Sequence, residues 1–328
     1  MQIALKFSAR AAVVLALSLG FARSPATAAT AYVSNEKGNS ITVIDDDKLA
    51  VTDTVKVGRR PRGIVLNKDN TQLFICAGDD DTIQILDLKT LKIVGDLPSG
   101  ADPELLILSP DGALLYVANE NNNLVTVIEV ATRKVIEQIP VGVEPEGMAL
   151  SPDGRILVNT SETTNMAHMI DTATRKIFAN VLVDARPRSA QFTPDGKELW
   201  VSAEVGGTVS VISVADAKVL QKITFDIPGL AKEAIQPVGI RFSQDGAKAF
   251  VALGPANRVA VIDVASRKVA KYLLVGQRVW QLAFTPDYSH LYATNGVSND
   301  VSVIDPASLK VVKSIPVGPF PWGVAIAP

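Results

Sequence analysis

The sequence predicts an all-β fold, a seven-bladed β-propeller of four-stranded antiparallel blades, on three observations. The first is a period. The fifth residues of the strands that follow Asp-Gly-type turns are Tyr32, Phe74, Tyr116, Val158, Trp200, Phe250 and Tyr292, spaced by 42 residues with one interval of 50. A repeat of about 40–45 residues holding several short strands is the period of a propeller blade. The second is the make-up of each copy, in which Val- and Ile-rich runs sit between turn residues. The third is closure. The chain ends on a strand-like Gly323-Val324-Ala325-Ile326-Ala327-Pro328 with no partner after it, and the first repeat opens at Ala31-Tyr32-Val33-Ser34-Asn35 with no partner before it. Joined in one mixed blade, the two ends tie the ring and remove the open sheet edges.

Residues 1–28 read as a secretory signal peptide and 29–328 as the propeller. Lys6 and Arg10 give the positive start, Ala11 to Phe21 the apolar stretch, and Ala26-Thr27-Ala28 a small-residue cleavage site. The expected location is therefore the periplasm, with no membrane span in the mature chain. A formal net charge of −2 gives no argument for a nucleic-acid surface. The single cysteine, Cys76, has no partner for an internal disulfide and reads as a small buried hydrophobe.

Within a repeat, four strands are named A to D from the channel outwards. In one copy they are expected near 148–151, 156–159, 125–130 and 134–141 or their equivalents. Asp111-Gly112, Asp153-Gly154, Asp195-Gly196 and Asp245-Gly246 join A to B, because Gly supplies the positive φ of a tight hairpin. Asn70 replaces that Gly early in the chain and tolerates the same region. Tyr288 replaces it late, and that hairpin is expected to use another geometry. Segments of the Ala-Thr-Arg-Lys type turn strand C into D.

YVSN at 32–35 and YVAN at 116–119 resemble the tetrapeptide of the YVTN β-propeller repeat family, as do the VIDD, VIDV and VIDP strands and the SPDG turns. The resemblance spans nearly all of 29–328. NEKGNSITVID, VGVEPEGMALSPDG, VNTSETTNM, VALGPANRVAVID, VGQRVWQLAFTPD and TNGVSNDVSVID further resemble the PQQ-dependent catabolism-associated β-propeller proteins. That resemblance implies a periplasmic setting beside quinoprotein alcohol dehydrogenases, c-type cytochromes and ABC export systems, and it implies no reaction.

Function is expected on the face shared by the B–C loops and the variable D–A connections. The residues just before the strand-A glycine, or its equivalent, run Arg62, Glu104, Glu146, Arg188, Val238, Trp280 and Trp322 around the ring. Two residues earlier the order is Arg60, Asp102, Glu144, Arg186, Gln236, Arg278 and Phe320. A charged arc thus faces an arc with two tryptophans, a partition suited to an amphiphilic ligand or a small aromatic acid, or to a structural ring of paired charges. Candidate binding residues are Arg60, Arg62, Glu104, Glu146, Arg186, Arg188, Trp280 and Trp322. The 50-residue interval adds eight residues within Phe225–Gly239, where Pro228-Gly229 turns the chain and Leu230 to Ile235 fits one helical turn. This insert, with Lys232 and Glu233 as its polar contacts, is expected to act as a lid or docking element, or to be a plain surface excursion.

No catalytic residue is assigned. The chain has no C-x-x-C-H, G-x-S-x-G, P-loop or dinucleotide fingerprint, and its two histidines, His168 in a strand C and His290 at an A–B turn, cannot share a metal. The Asn- and Asp-rich B–C loops lack the spaced carboxylates of a calcium motif and read as solvated turns. No resident cofactor is expected. Arginine pairs and tryptophans are the groups a flat tricarboxylate such as PQQ would need, but Glu104 and Glu146 carry the wrong sign. The expected function is a non-catalytic periplasmic propeller that binds a protein partner or small ligand at this face. Partners would be a quinoprotein dehydrogenase, a c-type cytochrome or an ABC transporter component. The alternative is a lactonase-like hydrolase, since some related propellers open lactones. Glu104 or Glu146 would be its general base, and Arg62 or Arg188 would hold a carboxylate.

Overall fold

The computed structural model describes residues 29–328, so the expected signal peptide lies outside the described residues. Seven four-stranded antiparallel sheets form the ring. Blade 1 is the mixed one: Pro321–Ala327 is its inner strand A, followed outwards by Thr30–Asn35, Ser40–Asp45 and Ala50–Lys56. The seam is a true strand pairing in which Thr30 faces Ala327, Tyr32 faces Ala325 and Val33 faces Val324. Strands B and C of every blade are buried almost throughout, as in Gln72–Ala77 and Leu114–Asn119. The outer strands D alternate exposed and half-buried positions, as in Lys92–Pro98. Apolar clusters therefore lie between neighbouring blades; one joins Trp200 and Val211 of blade 5 to Ile240 and Val251 of blade 6. No helix among the described residues is long and apolar enough to cross a membrane.

Strand A begins earlier than the sequence suggests. In blade 4 it spans Pro145–Leu150, and its register breaks between Pro145 and Met148. The same break follows Pro61 and Pro103. Proline has no N–H to give the ladder, so it opens the strand at a bulge. The bulge sets the next side chain, Arg62, Glu104 or Glu146, at the channel end of the blade.

The A–B turns confirm the glycine argument, with φ of +78° at Gly112, +73° at Gly154, +70° at Gly196 and +69° at Gly246. Asn70 shares the conformation at +54°. Tyr288 corrects the expectation. It does not change the hairpin but adopts the left-handed conformation itself, at +59°, and its N–H bonds the Thr285 carbonyl at 2.9 Å as Gly112 bonds Ser109 at 2.8 Å. An L side chain there costs about 1–2 kcal/mol. The ring of Tyr288 is held against Phe284, with centroids 4.8 Å apart.

The Asn- and Asp-rich B–C loops have a structural reason. Asn39, Asp81, Asn123, Asn165, Asn257 and Asn299 all take the left-handed conformation. Each side chain accepts the backbone N–H of the residue 21 positions on, as Asn39 Oδ1 does from Arg60 at 3.0 Å and Asn165 Oδ1 from Arg186 at 3.0 Å. The loop thereby clasps the connection that enters the next blade. Only Asn and Asp combine a tolerated positive φ with a short acceptor. Blade 5 carries Gly207 instead, because the insert moves its connection out of reach.

Candidate functional site

Three rings of side chains meet at the face of the B–C loops. The inner ring is the predicted one that follows the strand-A proline, or Val279 in blade 7. The second, two residues earlier, has left-handed backbone at Arg60, Asp102, Glu144, Arg186, Arg278 and Phe320. The third was not foreseen. It consists of the residue after each strand B, or in blade 6 the second residue after it: Glu36, Gly78, Glu120, Glu162, Glu204, Gly254 and Gly296. All but Gly254 are placed by the second ring, whose carbonyls accept their N–H groups. Glu120 donates to Asp102 at 3.0 Å, Glu162 to Glu144 at 2.9 Å and Glu204 to Arg186 at 2.8 Å.

The structure brings the predicted charged residues together and seals them in. Arg60 pairs with Asp79 at 2.9 Å and Glu104 at 3.0 Å, and also with Asp102. Arg62 pairs with Glu104 and, at 3.2 Å, with Glu36. On the other side Arg188 lies 2.6 Å from Glu146 and 3.6 Å from Glu204 and pairs with Glu162. Arg186 reaches Glu162 at 2.7 Å and Glu204 at 3.4 Å, and Arg278 reaches Glu204 at 3.2 Å. Glu104 and Glu146 are fully buried, and Arg188 is 4% exposed. Arg186 is the predicted arginine that stays open, its side chain 48% exposed.

The tryptophan arc is continuous with the charged one. Arg62 stacks 5.6 Å from the Trp322 ring centre, and Arg188 and Arg278 lie 5.7 and 4.5 Å from that of Trp280. Trp322 and Trp280 are buried with Val238, against Leu105 and Phe320. Their indole N–H groups find no acceptor among the described residues. The candidate mouth is thus filled by its own side chains.

Protonation completes the neutralisation. Burial pushes the Glu120 carboxyl up, and a hydrogen bond to Glu104 reinforces this, to about 7. Burial also drives Glu146 well above its usual range; Arg188 opposes the shift and Glu162 reinforces it. Their partners move the other way. Burial favours neutral Glu104 and Glu162, but the facing arginines and the hydrogen bonds from Glu120 and Glu146 hold both below the ordinary value. Two carboxyl–carboxylate pairs result, each braced by arginines. Asp102, Glu104 and Glu120 each offer a carboxylate oxygen within 4.8 Å of the others, but Arg60 and Arg62 already occupy that charge.

This electrostatic arrangement predicts a pH dependence. The stabilisation from protonated Glu120 is fully present below the ordinary value of 4.5 and is lost as pH rises through about 7. Glu104 and Glu162 act in the opposite sense, in the acid range below their ordinary values. Between about pH 5 and 8 the urea midpoint is expected to fall, with Glu120 contributing about 1–2 kcal/mol after solvent screening of this partly exposed group. Glu120→Gln should flatten that slope; an unchanged slope would contradict the pairing.

The insert is built as a wall. Phe225, Ile227 and Ile235 are buried in the cluster between blades 5 and 6, and the expected helical turn is a single 3₁₀ turn at Lys232–Ala234. Pro228, Lys232 and Glu233 are exposed. Lys232 and Glu233 line a hollow of about 600 Å³ with Val205 and Asp226. A second hollow of about 310 Å³, lined by Glu144, Glu162, Arg186 and Val205, lies between blades 4 and 5. The two histidines are separately engaged, His168 with Asn180 at 2.6 Å and His290 with Asp46 at 2.9 Å.

Comparison with known proteins places this architecture. The family profile of the choice-of-anchor I domain matches residues 122–302, more than half of the chain. A profile of YNCE-like β-propellers matches residues 74–153. The chain belongs to the choice-of-anchor I family as a YVTN-like β-propeller. Among solved structures, this propeller is similar to the hydrazine synthase of Kuenenia stuttgartiensis, at 22% identity and a TM-score of 0.71 over 79% of this chain and 87% of that one. A functionally unknown protein from Desulfotomaculum acetoxidans DSM 771 gives 18% and 0.76 over 91% and 98%. The dihydro-heme d1 dehydrogenase NirN, in complex with DHE, gives 16% and 0.69 over 95% and 77%. At these identities the likeness is one of fold. No curated protein matches the chain.

Proposed function

We propose that this is a non-catalytic, exported β-propeller that docks a protein partner over blades 4 to 6, as an accessory to PQQ-dependent alcohol oxidation. One observation carries the reading. Val205, 64% exposed, stands as a ridge between the two hollows. Its equivalents in the four preceding repeats are the polar Lys37, Asp79, Asn121 and Thr163, while Pro255 and Val297 hold the position in the two that follow. An exposed valine alone is ordinary; an apolar ridge between two concave, charge-rimmed hollows has the anatomy of an interface. Val143 and Leu230, 41% and 38% exposed, extend the apolar surface on the same face. The periplasmic setting and the quinoprotein context rest on the sequence resemblance.

Binding of PQQ itself does not fit. Arg60, Arg62, Arg186 and Arg188, the groups that would meet its carboxylates, each already face protein carboxylates at 3.6 Å or less. Capture from a periplasmic extract with the tagged protein tests the docking reading. A quinoprotein dehydrogenase, a c-type cytochrome or an ABC transporter component should be recovered, and Val205→Asp should weaken capture about thirty-fold if the ridge is an interface hot spot. Recovery of none of these classes would sink the reading.

A second reading, the lactonase-like hydrolase, is favoured by Glu120, a partly exposed carboxyl that titrates at about 7, as a general acid–base should. Glu104 and Glu146, the bases expected from the sequence, are fully buried. Turnover of a lactone that survives Glu120→Gln unchanged would exclude that assignment.

A further inference from the structure

The opposite face holds a feature that the ring of charges does not explain. The position four residues after the strand-A proline, or after Val279 in blade 7, faces the third residue of strand B, or the second in blade 7, as Val65 faces Phe74, Ala149 faces Val158 and Arg241 faces Phe250. Around the ring this position carries Val65, Ile107, Ala149, Gln191, Arg241, Ala283 and Ala325. Five are apolar. The two polar ones are neighbours, and one is a guanidinium.

Arg241 has no carboxylate partner within 4.0 Å among the described residues. Its Nη1 donates to the Ile240 carbonyl at 2.7 Å and to Gln191 Oε1 at 3.3 Å, which leaves donors on the rest of the fork. Burial pulls the group below its ordinary value, and Tyr288 opposes the shift. Every arginine of the opposite mouth discussed above is matched by acids; this one, half-buried, is not. A half-buried charge gains from a partner.

Arg241 lines a cavity of about 490 Å³ at the face of the A–B turns, with Gln191, Thr193, Ser243, Gln244, Phe284 and Tyr288. That volume suits a small ligand; the wall is mainly polar, with Ala283 and the Phe284 and Tyr288 rings as its apolar part. Tyr288 reaches this wall only by taking the left-handed backbone that the equivalent turns give to glycine or asparagine.

We propose that this cavity binds a small organic monocarboxylate with an apolar body. The free edge of Arg241 takes the carboxylate, the Gln191 amide and Tyr288 hydroxyl flank it, and the Phe284 and Tyr288 rings hold the body. A single guanidinium suits one carboxylate, whose two oxygens match its fork. The Phe284 and Tyr288 rings offer an apolar body a surface that a hydrated ion such as phosphate would not use. The site lies on the face away from Val205, so its fate is independent of the docking reading.

Benzoate is the probe. Titration of the purified protein by calorimetry should give saturable binding below about 10 mM. Benzyl alcohol, the neutral analogue, and inorganic phosphate should not displace it. Arg241→Gln should weaken binding at least about ten-fold, the loss expected for a charge-assisted pair. Tyr288→Gly, which restores the ordinary turn residue, should weaken binding while raising the thermal midpoint. That opposite pair of effects separates a ligand role from misfolding. Absence of saturable benzoate binding, phosphate binding as tight as benzoate, or undiminished binding by folded Arg241→Gln would each overturn the assignment.

Discussion

Arg188→Ala should destabilise the protein by about 3–5 kcal/mol, the cost of leaving buried carboxylates without their cation. Arg188 is 4% exposed and faces Glu146, Glu162 and Glu204. Truncation removes the charge that holds Glu162 ionised and leaves Arg186 and Arg278 to serve the remaining acids. It also removes the cation stacked on Trp280. Glu146→Gln is the informative contrast. Glu146 is held protonated and hydrogen-bonded to Glu162, and glutamine is nearly isosteric with that state and can donate in its place. Its cost should stay within about 1 kcal/mol. Urea unfolding followed by tryptophan fluorescence measures both. Equal losses for the two variants would show that the charge assignment is wrong, even if the network is important.

Removal of residues 321–328 should abolish the native ring. The segment supplies the inner strand of blade 1, the fully buried Trp322 and the seam with Thr30–Asn35. Loss of a buried tryptophan side chain alone costs about 3–5 kcal/mol. The truncation adds an unpaired strand edge facing the channel, a template for association between chains. The truncated protein should therefore be aggregated or should lack the native unfolding transition. A synthetic peptide of residues 321–328, supplied in excess, should restore a transition by pairing with that edge, with a midpoint that depends on peptide concentration. A truncated monomer with the midpoint of the intact protein would refute closure by this strand.

The ring was legible because repetition exposes it. A 42-residue period, Asp-Gly turns and complementary chain ends leave little freedom in how the blades are counted or closed. The inner and second rings were also readable, since they lie at a fixed offset from the strand-A proline. What the offset could not convey was depth. The strand-A bulge, together with the carbonyl contacts of the second ring, turns Glu104, Glu146 and Arg188 inwards, so the mouth is filled rather than lined. The glutamates at 36, 120, 162 and 204 were missed although they obey the same period. They sit one residue beyond the recognisable strand B; the A–B hairpin sets this end against the start of strand A, but the left-handed residue before the strand, whose carbonyl holds them, carries no sequence mark. Arg241 was passed over because strand A reads as apolar core; only alignment by register shows a charge where its counterparts are small or aliphatic. Tyr288 was misjudged from turn preferences, because packing on Phe284 can hold a backbone conformation that a tyrosine would not choose alone.

The central claim is a division of labour at the B–C loop face, with the charged ring serving structure and the Val205 ridge serving recognition. It is tested most directly by comparing two variants in one capture experiment with thermal unfolding alongside. Glu146→Ala, which cuts the ring, should lower the thermal midpoint and still capture its partner at temperatures where it is folded. Val205→Asp, which alters the ridge, should keep the midpoint and lose the partner. The reverse pattern, with capture lost on cutting the folded ring and retained with a charged ridge, would contradict the account and place recognition in the channel mouth.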